Sequence, residues 1–258
     1  LVLNHRLAIL SCLGKLFTSV LNHRLTKYLE ECRVLKANKA GFRKGYSCAD
    51  HISTLQSLFQ RLKCKKQKLY CAFVDFFAAF DKVHRVRLCQ KLLRNAINGK
   101  CFLVINSIYN NIKSCISHNN NLSAYFPRES GVLQGENLAL VLFALFLNDL
   151  QSYMENNGCV GVELNEVRLL WLKLLILLYA HDTVILSDSP DDFQNSLNVF
   201  HNYCNQWRLT VNLTKTKVVV FGSRNINALN VKLGDTPIAI TDKCHYIVQK
   251  YLALKISK

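Results

Sequence analysis

The 258-residue sequence is short of the residues that mark several kinds of chain. It has only three prolines, and half its residues are hydrophobic, which argues against global disorder. Its eleven cysteines stand singly, with no C-x-x-C pair. That spacing argues against a zinc ribbon and a disulfide framework, and suits reduced thiols inside a cell. His201 and Cys204 lack further metal-ligating company and read as structural. The longest purely apolar run, Leu138–Leu147, is half of the roughly 20 residues a bilayer span needs, and Lys173 interrupts the run Leu169–Leu178. No transmembrane span and no membrane partner are expected. Asn121 and Asn212 open glycosylation triplets that a cytosolic chain would leave unused. No cleavable signal is evident and residue 1 is Leu, so the sequence reads as starting inside a longer frame.

Acid is also scarce: 17 Asp and Glu face 33 Lys and Arg, a net charge of +16. Residues 1–68 hold 14 basic and 3 acidic side chains, residues 69–189 hold 10 of each, and residues 190–258 hold 9 and 4. A basic amino-terminal quarter suits either a phosphate-backbone partner or a solvated face.

Helical spacing runs through Ile52, Leu55, Phe59 and Leu62, with Ser47 or Asp50 as cap. Leu69–Val74 reads as a strand ending at Asp75. Helical patterns follow through Val83, Val86, Leu92 and Leu93, then through Phe102, Ile105, Ile108 and Ile112. After a turn at Gly131–Gly135 comes an apolar helix, Leu138–Leu150, and then a tight hairpin around "LLYAHDTVIL" (177–186). Ser189-Pro190-Asp191-Asp192 opens a helix whose apolar face is Phe193, Leu197, Phe200, Cys204 and Trp207. Thr216–Phe221 is a further strand, with shorter ones expected at Ala228–Leu233 and Tyr246–Ile256. The expected class is α+β, a small antiparallel sheet packed on helices.

Two acids stand at strand ends, Asp75 after "LYCAFV" and Asp182 at the hairpin tip. A buried unpaired carboxylate is costly, so an acid leaving a buried strand usually has a purpose. Two such carboxylates converging would suit hard divalent cations such as Mg²⁺, and two ions about 4 Å apart serve phosphoryl transfer. The alternative is two unrelated acids capping turns.

The segments "AFVDFFAAFDKVHR" (72–85), "GVLQGENLALVLFALFLNDL" (131–150), "LLYAHDTVILSD" (177–188) and "WRLTVNLTKTKVVVFG" (207–222) occur in this order. Together they resemble the palm motifs of reverse transcriptases from non-LTR, LINE-type retrotransposons of the jockey kind. "LSCLGKLFTSVLNHRL" (10–25) and "AGFRKGYSCADHI" (40–52) resemble that family's fingers, and "YLALKI" (251–256) its primer grip. The resemblance implies a right-hand polymerase, with fingers in 1–68, palm in 69–222 and the primer grip, opening toward a thumb, in 223–258. It implies an RNA-directed DNA polymerase that takes an RNA template, a DNA primer and deoxynucleoside triphosphates. It also implies two Mg²⁺ ions, with Mn²⁺ a possible substitute, and an intracellular location, the nucleus with the cytoplasm as the alternative.

Roles follow from the resemblance one residue at a time. Asp75 matches the metal-binding acid of the first palm motif, and the Phe76 carbonyl would help hold the second ion. Phe80 matches the aromatic that screens the sugar 2′ position. Gln134 and Gly135 match the turn that packs on the incoming nucleotide. Arg43 resembles a fingers arginine for template or triphosphate, and Lys215 the lysine of the fourth palm motif, near the triphosphate.

The sequence departs from the family at the hairpin tip. The family pattern Tyr-Ala-Asp-Asp reads Tyr179-Ala180-His181-Asp182 here. Asp182 matches the second acid, while His181 stands where the metal-sharing aspartate belongs. Imidazole is a poor ligand for hard Mg²⁺, and the change removes a negative charge from a site for dications. Arg6-Leu7-Ala8 stands for the family's Arg-Pro-Ile, Ala139-Leu140 for Ser-Pro, and Ala253 for the primer-grip glycine. This stretch also holds no endonuclease and little thumb. The expectation is a catalytically impaired copy, or a palm that binds nucleic acid without catalysis.

Overall fold

The computed structural model describes residues 11–36, 41, 45, 47–119, 121–165, 171–179, 182–222 and 230–241. Among them lie the helices α1 (Cys12–Glu31), α2 (Cys48–Cys64), α3 (Arg85–Arg94), α4 (Gly99–Asn110), α5 (Asn137–Phe146), α6 (Leu150–Asn156) and α7 (Pro190–Trp207). The strands longer than two residues are β1 (Leu69–Val74), β2 (Val162–Asn165), β3 (Trp171–Leu174), β4 (Ile176–Tyr179), β5 (Asp182–Ser187) and β6 (Lys217–Phe221). These form two compact units: one from described residues within 1–35, 78–147 and 207–209, the other from those within 36–77, 148–206 and 210–258.

The second unit is built on an antiparallel sheet in the order β6-β1-β5-β4. All six residues of β1 are buried, because both sheet faces are covered; this is why the strand reads as an unbroken apolar run. On one face α2 packs Leu55, Leu58 and Leu62 against Leu69, Cys71, Phe73, Leu177, Val184, Leu186 and Val219. Each fully buried leucine contributes roughly 1.5–3 kcal/mol. On the other face α7 meets the sheet, with Tyr70 and Phe193 ring centres 5.7 Å apart and Phe76 and Phe200 6.1 Å apart. Both covering helices start where local chemistry says they should. The Ser47 hydroxyl accepts from the Ala49 N–H (3.1 Å) and the Asp50 carboxylate from the Ser47 N–H (2.6 Å), a capping box. In α7, Pro190 fills the first turn beside Asp191 and Asp192, and the Ser189 carbonyl accepts from the Phe193 N–H at 3.0 Å.

In the first unit α5 is apolar all round and buried, with α1 and α3 packed on it. The sequence pattern had this helix continuing to Leu150; instead it ends at Phe146 and α6 starts afresh at Leu150. Asn148 and Asp149 account for the break, since such side chains compete with helical hydrogen bonding. In the second unit the Asp149 carboxylate accepts from the Tyr203 hydroxyl at 2.7 Å. By composition Asn137–Asn156 is long and apolar enough to cross a membrane, but the stretch is interrupted and mostly buried as core.

Two further expectations need correction. The pattern anchored on Val83 is out of phase, because Val83 precedes the helix; α3 buries Leu88 and Leu92 and leaves Val86 and Leu93 exposed. Of the strand expected at Ala228–Leu233, residues 230–233 are described, and only Lys232–Leu233 among them forms a strand, paired with Thr236–Pro237. The strand expected at Tyr246–Ile256 lies outside the described residues.

A knot of polar contacts fixes the segment before α5. Gly131 has φ +82°, and a Cβ there would sit 2.5 Å from the Asp81 carbonyl oxygen, so only glycine fits. Arg85 donates to the carbonyls of Gly131 (3.1 Å), Ser130 (3.3 Å), Tyr109 and Arg128, and Arg128 pairs with Asp81.

Candidate active site at the end of the central strand

In β1 and β5 the last paired residues are Val74 and Thr183. Asp75 follows the one and Asp182 precedes the other, so both acids leave the same end of neighbouring antiparallel strands. Tyr179 pairs with Asp182, so only Ala180 and His181 link β4 to β5; those two lie outside the described residues, as does Arg43. The hairpin read from the sequence is therefore there, with Asp182 at the start of its second strand.

Asp75 is only 6 % exposed, and Asp182 is half-buried. The turn before β6 folds onto Asp75 from its other side. Its N–H donates to the Thr216 hydroxyl (3.3 Å), its carbonyl accepts from the Asn212 N–H (2.8 Å), and its carboxylate accepts from the Asn212 side-chain amide (3.1 Å). The Lys215 ammonium lies 3.7 Å from the same carboxylate oxygen and is half exposed. Asn212 is held in turn, its side-chain oxygen accepting from the Thr214 hydroxyl at 2.7 Å and the Lys215 N–H at 3.4 Å. A buried carboxylate thus has a neutral donor and a cation on one oxygen, which reduces the cost of its burial.

Asn212 and Thr216 were not singled out from the sequence. The signal was present: an Asn-x-Thr-x-Thr cluster ahead of a strand is turn chemistry, and its Asn was set aside as a glycosylation triplet. Removing the amide with Asn212→Ala is expected to cost about 1–3 kcal/mol, since the buried carboxylate loses a donor. Chemical denaturation of the two chains checks it; equal midpoints and slopes would mean that the contact contributes nothing.

The backbone bridge between Phe76 and Val211 uses the Asp75 carbonyl and the Phe77 N–H, which donates to Thr210 at 2.8 Å, so it does not use the Phe76 carbonyl. Phe76 itself is buried. The first unit holds Phe80, Gln134 and Gly135. Phe80 is buried, its ring centre 5.0 Å from that of Phe143. Gln134 is half-buried, and Gly135 is exposed with φ +113°. The next residue, Glu136, is buried; burial holds its carboxyl above the usual range, while hydrogen bonds from Thr18 and Tyr109 act the other way.

The donor set suits a hard divalent cation in kind, being carboxylate and carbonyl oxygen. It is short in number, because no group of three His, Cys, Asp or Glu side chains is gathered among the described residues. His201 and Cys204 belong to no such group. Burial pushes the Cys204 thiol up, as it does that of Cys71.

A small antiparallel sheet between helices, with one acid at the end of an inner strand and another at an adjoining hairpin, is the architecture that the resemblance of the sequence motifs leads one to expect. The chain belongs to the reverse transcriptase (RNA-dependent DNA polymerase) family, whose sequence profile matches residues 3–248. Among curated relatives it is similar to the RNA-directed DNA polymerase from mobile element jockey of Drosophila melanogaster, 23 % identical over 257 residues, covering 97 % of this chain and 26 % of the relative. It is also similar to a probable RNA-directed DNA polymerase from transposon BS of the same fly, 26 % identical, covering 81 % of this chain and 23 % of the relative. The chain thus spans about a quarter of the length of these relatives. Solved structures of like fold include telomerase from Candida tropicalis with a fragment of telomeric RNA (TM-score 0.57, 12 % identity, 86 % of this chain and 35 % of that one). Telomerase from Candida albicans is another (TM-score 0.55, 14 % identity, 90 % and 40 %). At such identity the likeness is one of fold. Polymerases of this family work with divalent metal ions.

Proposed function

We propose that the chain is the fingers-and-palm portion, with the start of the primer grip, of the RNA-directed DNA polymerase of a non-LTR retrotransposon. Residues 1–68 are read as fingers, 69–222 as palm and 223–258 as primer grip. The observation that carries this reading is the antiparallel register of β1 and β5, which brings Asp75 and Asp182 to one strand end. Its substrates would be an RNA template, a DNA primer and deoxynucleoside triphosphates. Asp75, Asp182 and the Phe76 carbonyl would hold two Mg²⁺. When bound, such ions activate the primer's attacking oxygen and stabilise the pyrophosphate leaving group. Asn212 orients the Asp75 carboxylate, and Lys215, whose ammonium lies 3.7 Å from that carboxylate, would contact the triphosphate. Phe80 would screen the sugar, Gln134 and Gly135 would pack on the incoming nucleotide, and Arg43 would contact template or triphosphate. The proposed location is the nucleus.

His181 favours a second reading, a palm that binds template and primer without extending them. Mg²⁺-dependent primer extension, run beside a template–primer gel shift, separates the two: binding with no more than trace extension supports the second. Binding is expected to lean on the basic amino-terminal segment, where Lys63, Lys65, Lys66 and Lys68 are all exposed. Affinity should fall by roughly 0.9 log units per log unit of salt for each duplex phosphate neutralised. Changing the four lysines to glutamine should flatten that slope, and an unchanged slope would make them spectators.

A further inference from the structure

The balanced charge of residues 69–189 conceals a segregation. From Lys82 through Arg128 the chain runs 47 residues with eight Lys or Arg and no Asp or Glu. Three of these cations face inward: Arg85 on backbone carbonyls, Lys91 buried, and Arg128 on Asp81. Lys82, Arg94, Lys100 and Lys113 are exposed.

The same stretch contains a two-stranded ribbon. Lys113–Ser114 pairs with Phe126–Pro127 and Ser117–His118 with Asn121–Leu122. Between these rungs Ile116 and Ser123 exchange hydrogen bonds of 2.9 Å in each direction. At the tip Asn119 has φ +47°, a conformation that asparagine tolerates. The base is clamped, the Arg128 N–H donating to Ile112 at 3.1 Å while Arg85 and Asp81 hold the chain beyond. A ribbon of this size is marginal in water by itself, so the clamp is what keeps it formed. It nevertheless exposes Tyr125 (69 %), Phe126 (42 %), Ile116 (62 %) and Leu122 (65 %).

We propose that the ribbon 112–128 is a stacking arm for single-stranded nucleic acid, with bases on Tyr125 and Phe126 and phosphate on Lys113. The proposal rests on the reading that this chain handles nucleic acid, and adds a site that the polymerase residues do not include. Aromatic faces beside cations are what single strands bind, whatever their sequence. Charge selects this occupant, because the ribbon carries exposed Lys113 and no acid, within a 47-residue stretch free of Asp and Glu, and so attracts phosphate and repels a second copy of itself.

The test is a gel shift of the full chain with single-stranded RNA, single-stranded DNA and the matching duplex, each over a salt series. Changing Tyr125 and Phe126 together to alanine should weaken single-strand binding roughly tenfold or more. It should leave the salt slope and duplex affinity unaltered, since stacking releases no counterions. Lys113→Gln should lower the single-strand slope by about 0.7. Whether RNA or DNA loses more tells which strand the arm holds. Photocrosslinking the unaltered chain to thiouracil- or thiothymine-bearing strands gives an independent readout, expected on the peptide carrying Tyr125 and Phe126. Unchanged single-strand affinity in the double variant, or crosslinks only elsewhere, overturns the arm while leaving the polymerase reading standing. A loss of self-association with nucleic-acid binding intact also overturns it, and makes the ribbon a copy-to-copy contact. A native chain that binds neither strand nor duplex overturns both readings.

Discussion

Truncating Phe80 to alanine is expected to destabilise the protein by about 3–5 kcal/mol, the usual cost of emptying an aromatic site in a core. The ring is buried against Phe143, a fully buried residue of the all-apolar helix α5. The Phe80 carbonyl also accepts the Val132 N–H at 2.8 Å, so the turn carrying the ring is tied to the strand of chain leading into α5. Phe77, three residues earlier, is 48 % exposed, and its replacement should cost much less. The proposed function would give Phe80 a second duty, excluding the ribose 2′-hydroxyl. The two duties separate by measurement. Denaturation of Phe80→Ala and Phe77→Ala chains reads packing, and incorporation of ribonucleotides, in a chain also carrying His181→Asp, reads sugar selection. Lower stability with unchanged selectivity would leave Phe80 as packing alone; unchanged stability would contradict the packing argument.

Features set by local chemistry were legible in the sequence. The box at Ser47 and Asp50 and the Ser189-Pro190 start of α7 are hydrogen bonds and φ restrictions within a turn, so a few residues suffice to read them. The strand before Asp75 was legible because burial on both faces requires apolar residues throughout. What escaped notice depends on distant parts of the chain. Asn212 and Thr216 reach Asp75 across 137 and 141 residues, and no periodicity announces such a partner. Arg85 likewise meets its four carbonyl partners 24 to 46 residues away, so nothing local marks its role. The end of α5 at Phe146 was missed because apolarity marks burial and does not mark helix ends. The ribbon's strands, two residues each, are too short to show an alternation. Of the proposed site, the two acids and the hairpin were readable, whereas their strand register was not.

Restoring His181→Asp is expected to raise Mg²⁺-dependent primer extension by on the order of 100-fold or more, the worth of several kcal/mol of transition-state charge stabilisation. In the sequence residue 181 falls between Tyr179 and Asp182, which pair with each other, and Thr183 pairs with Val74, the residue before Asp75. In the proposed site Asp75 and Asp182 would supply carboxylates to a hard cation, but Asp75 shares one oxygen with the Asn212 amide and has Lys215 close by. An imidazole at 181 adds neither negative charge nor hard oxygen. Mn²⁺, which accepts nitrogen more readily, should narrow the gap between the native and restored chains.

The central claim, that Asp75 and Asp182 form a polymerase site weakened at residue 181, is tested most directly by one comparison. Mg²⁺-dependent extension of a DNA primer on an RNA template is measured side by side for the native, His181→Asp and His181→Asp/Asp75→Ala chains. The account predicts trace extension by the native chain, strong extension by the restored chain, and none once Asp75 is lost. Robust extension by the native chain, or extension by the restored chain that survives Asp75→Ala, would contradict it.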